Sequence, residues 1–295
     1  MTAPAASADV QTAIFKKLYP VDFLRRHLDE QVREDGRAPA EFRAASVATG
    51  ILSQSNGSAL VRFGSGTMVT AAVQAQVTEP HHDRPNEGFI VPSLDLSPLC
   101  SPQYKPGPPS DDAQCMAHYL QLFLDQSLAV SRESLCIEPG VAAWALHVDV
   151  VVVSADGNVL DAAALAVVAA LADCRLPTLL QCSGPSSCVF SRERNQKLDL
   201  RVWPVLSTFG LYDSTYILAD PAAFEESLLS AHMHIGMTEA DDDADVFFVR
   251  LAGNAMAAKA GPQVLRNEAL LEQCIHAARA RAAVLRNLLR ESLKQ

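Results

Sequence analysis

The chain has 295 residues, 49% hydrophobic and 20% charged, with 34 acidic and 24 basic residues and a net charge of −10. That length and apolar content suit one large or two small globular domains with a sizeable core. The acidic balance excludes a broad phosphate-contacting surface, so nucleic acid is either not the main partner or is met by a few local cations. Seven cysteines, an odd number with no C-x-x-C pair, read as reduced, mostly buried thiols rather than a disulfide frame or a zinc site. Neither a signal peptide nor a membrane-spanning run is evident.

Residues 1–19 are small and polar and read as a flexible N-terminal arm. "YPVDFLRRHLDEQVRE" predicts an amphipathic helix starting at Pro20 and ended by Asp35-Gly36. The period then changes to two. "SALVRFGSGTMVTAAVQAQV" predicts two strands joined at Gly64–Gly66, with Val69, Ala71, Val73, Ala75 and Val77 sharing one face. After the loop "TEPHHDRPNEG", the stretch "FIVPSLDLSPL" is extended, and Pro92 marks it as an edge strand. "KPGPPSDDAQ" ends in a cap signal for a helix that places Met116, Leu120, Phe123, Leu124 and Leu128 on one side.

"VVVVSADGNVLDAAALAVVAALADC", Val150 to Cys174, predicts a buried strand, a polar turn and a helix apolar nearly all round, hence one lying between two layers. Such a turn is a common place to hold phosphate, because the first helical N–H groups point out of it unpaired. Here it reads Ala155-Asp156-Gly157-Asn158, without a cation.

The polar segment 183–199 is the best internal boundary. It divides a first half, 20–182, from a second, 200–295. Beyond it come strand signals in "LSTFGLY", "TYILAD", "HMHIGM" and "DVFFVRL", with the acidic run Ala240–Asp245 as a hairpin loop. A long terminal helix follows Gly261-Pro262, with Val264, Leu271, Ile275, Ala278, Ala282, Leu285 and Leu289 at steps of three and four. Two strand-then-helix halves make an α+β protein with a pseudo-repeat.

Several groups invite a chemical reading. "GSGT" at 64–67 lacks a following Lys and a helix, so a hairpin turn outweighs a phosphate loop. "CSGPSSC" lacks a strand-to-helix elbow and reads as a surface loop. His232 and His234 share a strand face downstream of Glu225 and Glu226, but without a third defined ligand an interfacial role outweighs a metal site. His81, His82 and Arg84 lie in a long loop. His147 and Asp149 share a strand face, with a structural pair favoured over an acid–base dyad. Arg192, Arg194 and Lys197, diluted by Glu193, read as a solvated patch.

Four stretches together resemble the RNase PH family: "REDGRAPAEFR", "SALVRFGSGTMVTAAVQA", "ESLCIEPGVAAWALHVDVVVVSADGNVLDAAALAVVAAL" and "WPVLSTFGLYDSTYILADP". They span residues 20 to 290 in order. "PNEGFIVPSLDLSPLCSPQYKPGPP" narrows the resemblance to the non-catalytic eukaryotic exosome ring subunits of the opa-interacting protein 2 type. The resemblance implies the RNase PH fold: two βαβα-like halves, a mixed sheet and flanking helices.

Active members of the family phosphorolyse RNA from its 3′ end, holding phosphate with an Arg in the turn and arginines on the preceding helix, and using a pair of Asp residues. The positions matching these are Leu160 in the turn, Gln126 and Ala129 on the helix, and Glu226 and His232 for the aspartates. The resemblance therefore implies a degenerate site with no catalytic residue, no metal and no cofactor. The partners implied are other RNase PH-like subunits in a six-membered ring, cap proteins with RNA-binding modules, and RNA passing through, contacted by Arg84. No membrane is involved. The expected locations are the nucleus, including the nucleolus, and the cytoplasm. The rival reading is an active 3′-to-5′ phosphorolytic exoribonuclease with a divergent or composite site.

Overall fold

The structure, a computed structural model, describes residues 8–181, 189–191, 195–213, 216–238, 245–253 and 263–293; for 8–11, 181 and 263–269 only the backbone is described. Helix α1 (Ala8–Leu18) occupies most of the segment read as an arm, and α2 (Pro20–Asp29) follows. Phe15 and Phe23 place their rings 6.2 Å apart between these helices.

Helix α2 is shorter than its periodicity predicts. Gln31 takes a left-handed φ of 58°, and Arg33 receives a backbone bond from Gly36 while donating one to Arg37. A tertiary partner explains the early stop: the Arg33 side chain turns into the interior to pair with Glu225.

Strands β1 (Ala45–Thr49), β2 (Gly57–Phe63), β3 (Thr67–Thr78), β4 (Phe89–Leu96) and β6 (Ala142–Ser154) form the first sheet in the order β1-β2-β3-β6-β4, with short β5 (Cys136–Glu138) also on β6. Gly64, with φ 55°, turns the β2–β3 hairpin where the pattern placed it. Val69, Ala71 and Val73 are fully buried on one face of β3, as alternation requires. Strand β4 lies at the sheet edge, parallel to β6, and α3 (Asp111–Ser127) makes the crossover between them. Ser110 Oγ accepts from Ala113 N at 3.2 Å and caps α3. Leu128 departs from the expected apolar side: it sits past the helix end with φ 51° and is 70% exposed.

Helix α4 (Val159–Asp173) is buried from Val159 to Ala172. Its all-round apolar surface has a simple cause: the first sheet lies on one side and the second sheet on the other. Strands β7 (Arg175–Leu176) and β8 (Leu179–Gln181) precede the segment 183–199 read as the internal boundary, and their partners β10 (Gln196–Lys197) and β9 (Val189–Phe190) lie within it. "CSGPSSC", Arg192 and Arg194 lie outside the described residues.

The second sheet is antiparallel, in the order β12 (Tyr216–Ala219), β11 (Val205–Tyr212), β13 (Ala231–Met237), β14 (Val246–Gly253). A short α5 (Ala223–Glu226) joins β12 to β13, and residues 240–244 of the acidic run are outside the described residues. Strand β11 is buried at every position. Helix α6 (Gln263–Ser292) packs on β11, β13 and β1, burying Ala278, Ala282, Leu285 and Leu289, while Leu24 and Leu28 of α2 pack with Tyr212 and Leu218. One apolar core runs through both halves. This is the expected α+β arrangement, with a mixed first sheet. Among the described residues no helix is long and apolar enough to cross a membrane.

Of the described cysteines, Cys100, Cys174 and Cys274 are buried, but Cys115 is exposed.

Candidate functional site

The β6–α4 turn reaches the second sheet. Gly157 has φ 76°, and a Cβ there would lie 2.5 Å from Ala223 N, so only glycine lets the turn touch the start of α5. Asn158 is left-handed too, φ 52°, and is buried. Its backbone N–H donates to Glu226 Oε1 at 2.6 Å. A carboxylate of α5 thus sits at the N-terminus of α4, where the helix dipole favours negative charge.

Beneath the turn lies Arg43. Its Nε and Nη2 grip Asp220 at 2.8 Å each, and the guanidinium also donates to Thr67 Oγ1, Asp156 O and Gly157 O at 3.2, 2.8 and 3.1 Å. Five N–H groups meet five acceptors, a full complement for arginine. Burial would raise the Asp220 carboxyl, but the bonds and charge of Arg43 outweigh it and hold it down at about 2. Asn158 Nδ2 bridges Asp220 and Asp161 at 2.6 and 2.9 Å.

Asp161 sits deeper, in the first turn of α4. It accepts from Thr208 N at 2.7 Å and Thr208 Oγ1 at 2.6 Å, yet burial pushes it up to about 6. Thr208 Oγ1 also lies 2.8 Å from His234 Nδ1. One hydroxyl proton cannot serve both neighbours, so the consistent order has His234 Nδ1–H donating to Thr208, and Thr208 donating to Asp161. Burial, with Arg250 and His232 adding, lowers His234 to about 3 and keeps it neutral; burial also lowers His232.

Above these groups opens a cleft of about 680 Å³. Leu160, Glu226 and His232 line it, so three of the five positions assigned by resemblance come together. Gln126 and Ala129 do not: Gln126 is exposed near the end of α3, and Ala129 is buried beyond it. The α3 residues that line the cleft are Asp112, Cys115, Met116 and Tyr119. Arg250 is the one Lys or Arg among the described lining residues. It donates to Tyr119 OH at 2.6 Å and lies 3.6 Å from that ring centroid. Burial pushes Glu226 up to about 7, with Asp161 and Asp220 adding and the Asn158 N–H and Arg43 opposing.

His232 and His234 share the cleft, but Glu225 faces the other way, in a buried bidentate pair with Arg33. Among the described residues no three His, Cys, Asp or Glu side chains come together as a metal would need. Asp149 accepts from Ser93 Oγ at 2.7 Å across the first sheet, and both it and His147 are half-buried, not buried. Arg84 lies in an exposed loop, where it donates to Glu87 Oε2 at 3.3 Å.

Arg43, Asp161, Thr208 and Asp220 were not singled out by sequence. Arg43 ends "PAEFR" and Asp220 sits in "ILADP", both inside stretches that carry the resemblance. For Asp220, a charge inside an apolar run is the signal that points to it; Arg43 lies in a charged stretch and carries no such signal.

A mixed and an antiparallel sheet packed around a buried helix, with the helix's entry turn set in a cleft between them, define a protein of the RNase PH class. Residues 41–177 match the 3′ exoribonuclease family, domain 1. The exosome complex component rrp43 of Schizosaccharomyces pombe is 34% identical over 91% of this chain and 94% of its own length. The exosome complex component Rrp42 of Methanothermobacter thermautotrophicus is 35% identical over 72% of this chain and 77% of its own. A chain of the Archaeoglobus fulgidus exosome with RNA bound to the active site superposes with a TM-score of 0.75, at 28% identity over 95% of this chain and 99% of that one. This chain belongs to the RNase PH family of exosome components.

Proposed function

We propose that this chain is a non-catalytic structural subunit of an RNA exosome ring, supporting 3′-to-5′ RNA processing and decay by forming part of an RNA-threading channel. Its relatives are exosome components over nearly the whole chain. The observation that carries the non-catalytic reading is the state of the turn. The five N–H groups of Arg43 and the Asn158 N–H all meet acceptors of the protein itself. At the position matching the family's turn arginine, Leu160 brings neither charge nor donor. Phosphoryl transfer depends on positioning and charge neutralisation, and this cleft supplies little of either to a phosphate.

In this reading the chain's partners are other RNase PH-like subunits in a six-membered ring, cap proteins with RNA-binding modules, and RNA that passes Arg84. The assembly works in the nucleus, including the nucleolus, and in the cytoplasm. The test is direct. Purified chain, given phosphate, magnesium and single-stranded RNA, releases no nucleoside diphosphate above a buffer control, and Leu160→Arg alone does not change this. Phosphorolysis by the unmodified chain that Glu226→Ala abolishes would establish the active-enzyme reading instead.

A further inference from the structure

The side-chain amide of Asn158 is satisfied on one arm only. Its Nδ2 donates to Asp161 and Asp220, and two carboxylates on that arm fix which atom is the nitrogen. Its Oδ1 is buried and accepts no hydrogen bond from any described residue. Asn158 is 3% exposed and lines the cleft, whereas Asp161 and Asp220 do not, so the unpaired oxygen lies on the cleft side of the amide. A buried acceptor without a donor is costly, and it marks a place where a donor belongs.

Glu226 beside it has the same surplus. Its Oε1 takes the Asn158 N–H, and its Oε2 accepts from no described residue. A second carboxylate of the cleft, Asp112, is exposed in the first turn of α3 and also lacks a partner among the described residues. Tyr104 lies within reach of both: burial raises its phenol, and the charges of Asp112, Cys100 and Glu226 add to the rise. The cation of the cleft has other neighbours. Arg250 is held by Tyr119 and acts on His232 and His234. The end of the cleft at the β6–α4 turn is therefore rich in unpaired acceptors.

Those acceptors ask for a cation that donates hydrogen bonds. A phosphate would meet two carboxylates. A metal ion is a poor match, because among the described residues no three His, Cys, Asp or Glu side chains converge. A primary ammonium group brings one charge and three N–H donors, and a tyrosine face attracts it. Two separate carboxylates ask for two such groups on one flexible chain.

We propose that this end of the cleft binds an aliphatic polyamine, with one ammonium group donating to Glu226 Oε2 and Asn158 Oδ1 and a second paired with Asp112. Tyr104 and Met116 wall the methylene chain between them. The site is independent of whether the chain joins a ring.

The experiment titrates the purified full chain with spermidine, putrescine and propylamine by calorimetry, at a salt concentration high enough to screen the net charge of −10. One equivalent of spermidine or putrescine is expected to bind, at least tenfold more tightly than propylamine. Glu226→Gln, which keeps an acceptor for the Asn158 N–H, weakens both diamine and monoamine at least tenfold. Asp112→Asn weakens the diamine to the level of the monoamine, and Asp95→Asn on β4 changes nothing. Burial, with Asp161 and Asp220 adding and the Asn158 N–H and Arg43 opposing, sets Glu226 at about 7, so spermidine binds more tightly as the pH rises from 6 to 8, in wild type but not in Glu226→Gln. Absence of saturable binding overturns the site. Binding that Glu226→Gln leaves unchanged shows diffuse attraction to an acidic surface and overturns it too. Equal affinity for propylamine, or displacement of spermidine by an equal concentration of magnesium, overturns the choice of ligand.

Discussion

The backbone N–H of Asn158 and the carboxyl of Glu226 meet at 2.6 Å, across 68 residues of sequence. Helix N-termini attract anions because their first N–H groups lack partners and the dipole is positive there. Here the protein brings its own carboxyl group to that place, closing the β6–α4 turn from within.

Burial sets the pH response of that contact. Glu226 is pushed up to about 7, against an ordinary value of 4.5. Between those values the folded chain holds a proton that the unfolded chain has released, so raising the pH favours unfolding. The contribution of Glu226 is fully present below pH 4.5 and is lost as the pH rises through 7. Glu226→Gln, which keeps an acceptor for Asn158, removes this loss. Urea unfolding from pH 5 to 8 is expected to show the variant gaining on wild type by on the order of 1–3 kcal/mol as the pH rises. Parallel stability curves would remove Glu226 from this role.

Arg43 and Asp220 make a second testable pair. Removing one partner of a buried, hydrogen-bonded ion pair leaves a charge unmatched, at a cost of about 3–5 kcal/mol. Arg43→Ala and Asp220→Ala are each expected to destabilise by about that amount. The double variant falls well short of the sum, because the pair acts as a unit. Denaturant unfolding of the four proteins measures the coupling, and strict additivity would contradict the geometry.

The histidines of the cleft serve structure in this reading. His234 is engaged with Thr208, and Glu225 with Arg33. Chelator is expected to leave the unfolding midpoint of wild type and of His232→Ala unchanged. A midpoint that rises with added zinc or manganese in wild type only would show a resident ion.

Arg84 tests the RNA path. In an assembled ring, Arg84→Glu is expected to reduce the length of RNA protected from nuclease without loss of assembly. Because the side chain is exposed, the difference narrows as salt is raised. Equal protection at low salt would move this loop away from the RNA.

Much of the scaffold was legible in order. The period-two pattern of β3, the edge position of β4 and the all-apolar α4 each arise from choices made within a dozen neighbouring residues. The resemblance placed Leu160, Glu226 and His232, and the fold brought them into one cleft. Local pattern was insufficient where a distant partner competed. The periodicity of α2 continues past Asp29, but a buried bond from Arg33 to Glu225, 192 residues away, bends the chain out of the helix.

Likewise, no spacing announces that Arg43 will meet Asp220 across 177 residues, or that Asp161, Thr208 and His234 will line up from three elements. Gln126 and Ala129 matched by alignment along the chain, whereas the face of α3 turned to the cleft is set by how the helix packs on β4 and β14. The sequence by itself determined most of the strands and helices, because hydrophobic periodicity is local, although α1 was read as an arm; its motifs carried the resemblance to the family. Only the tertiary structure decided which charges meet at the turn, because buried ion pairs and hydrogen bonds are chosen by three-dimensional proximity and by the cost of leaving a buried polar group unmatched.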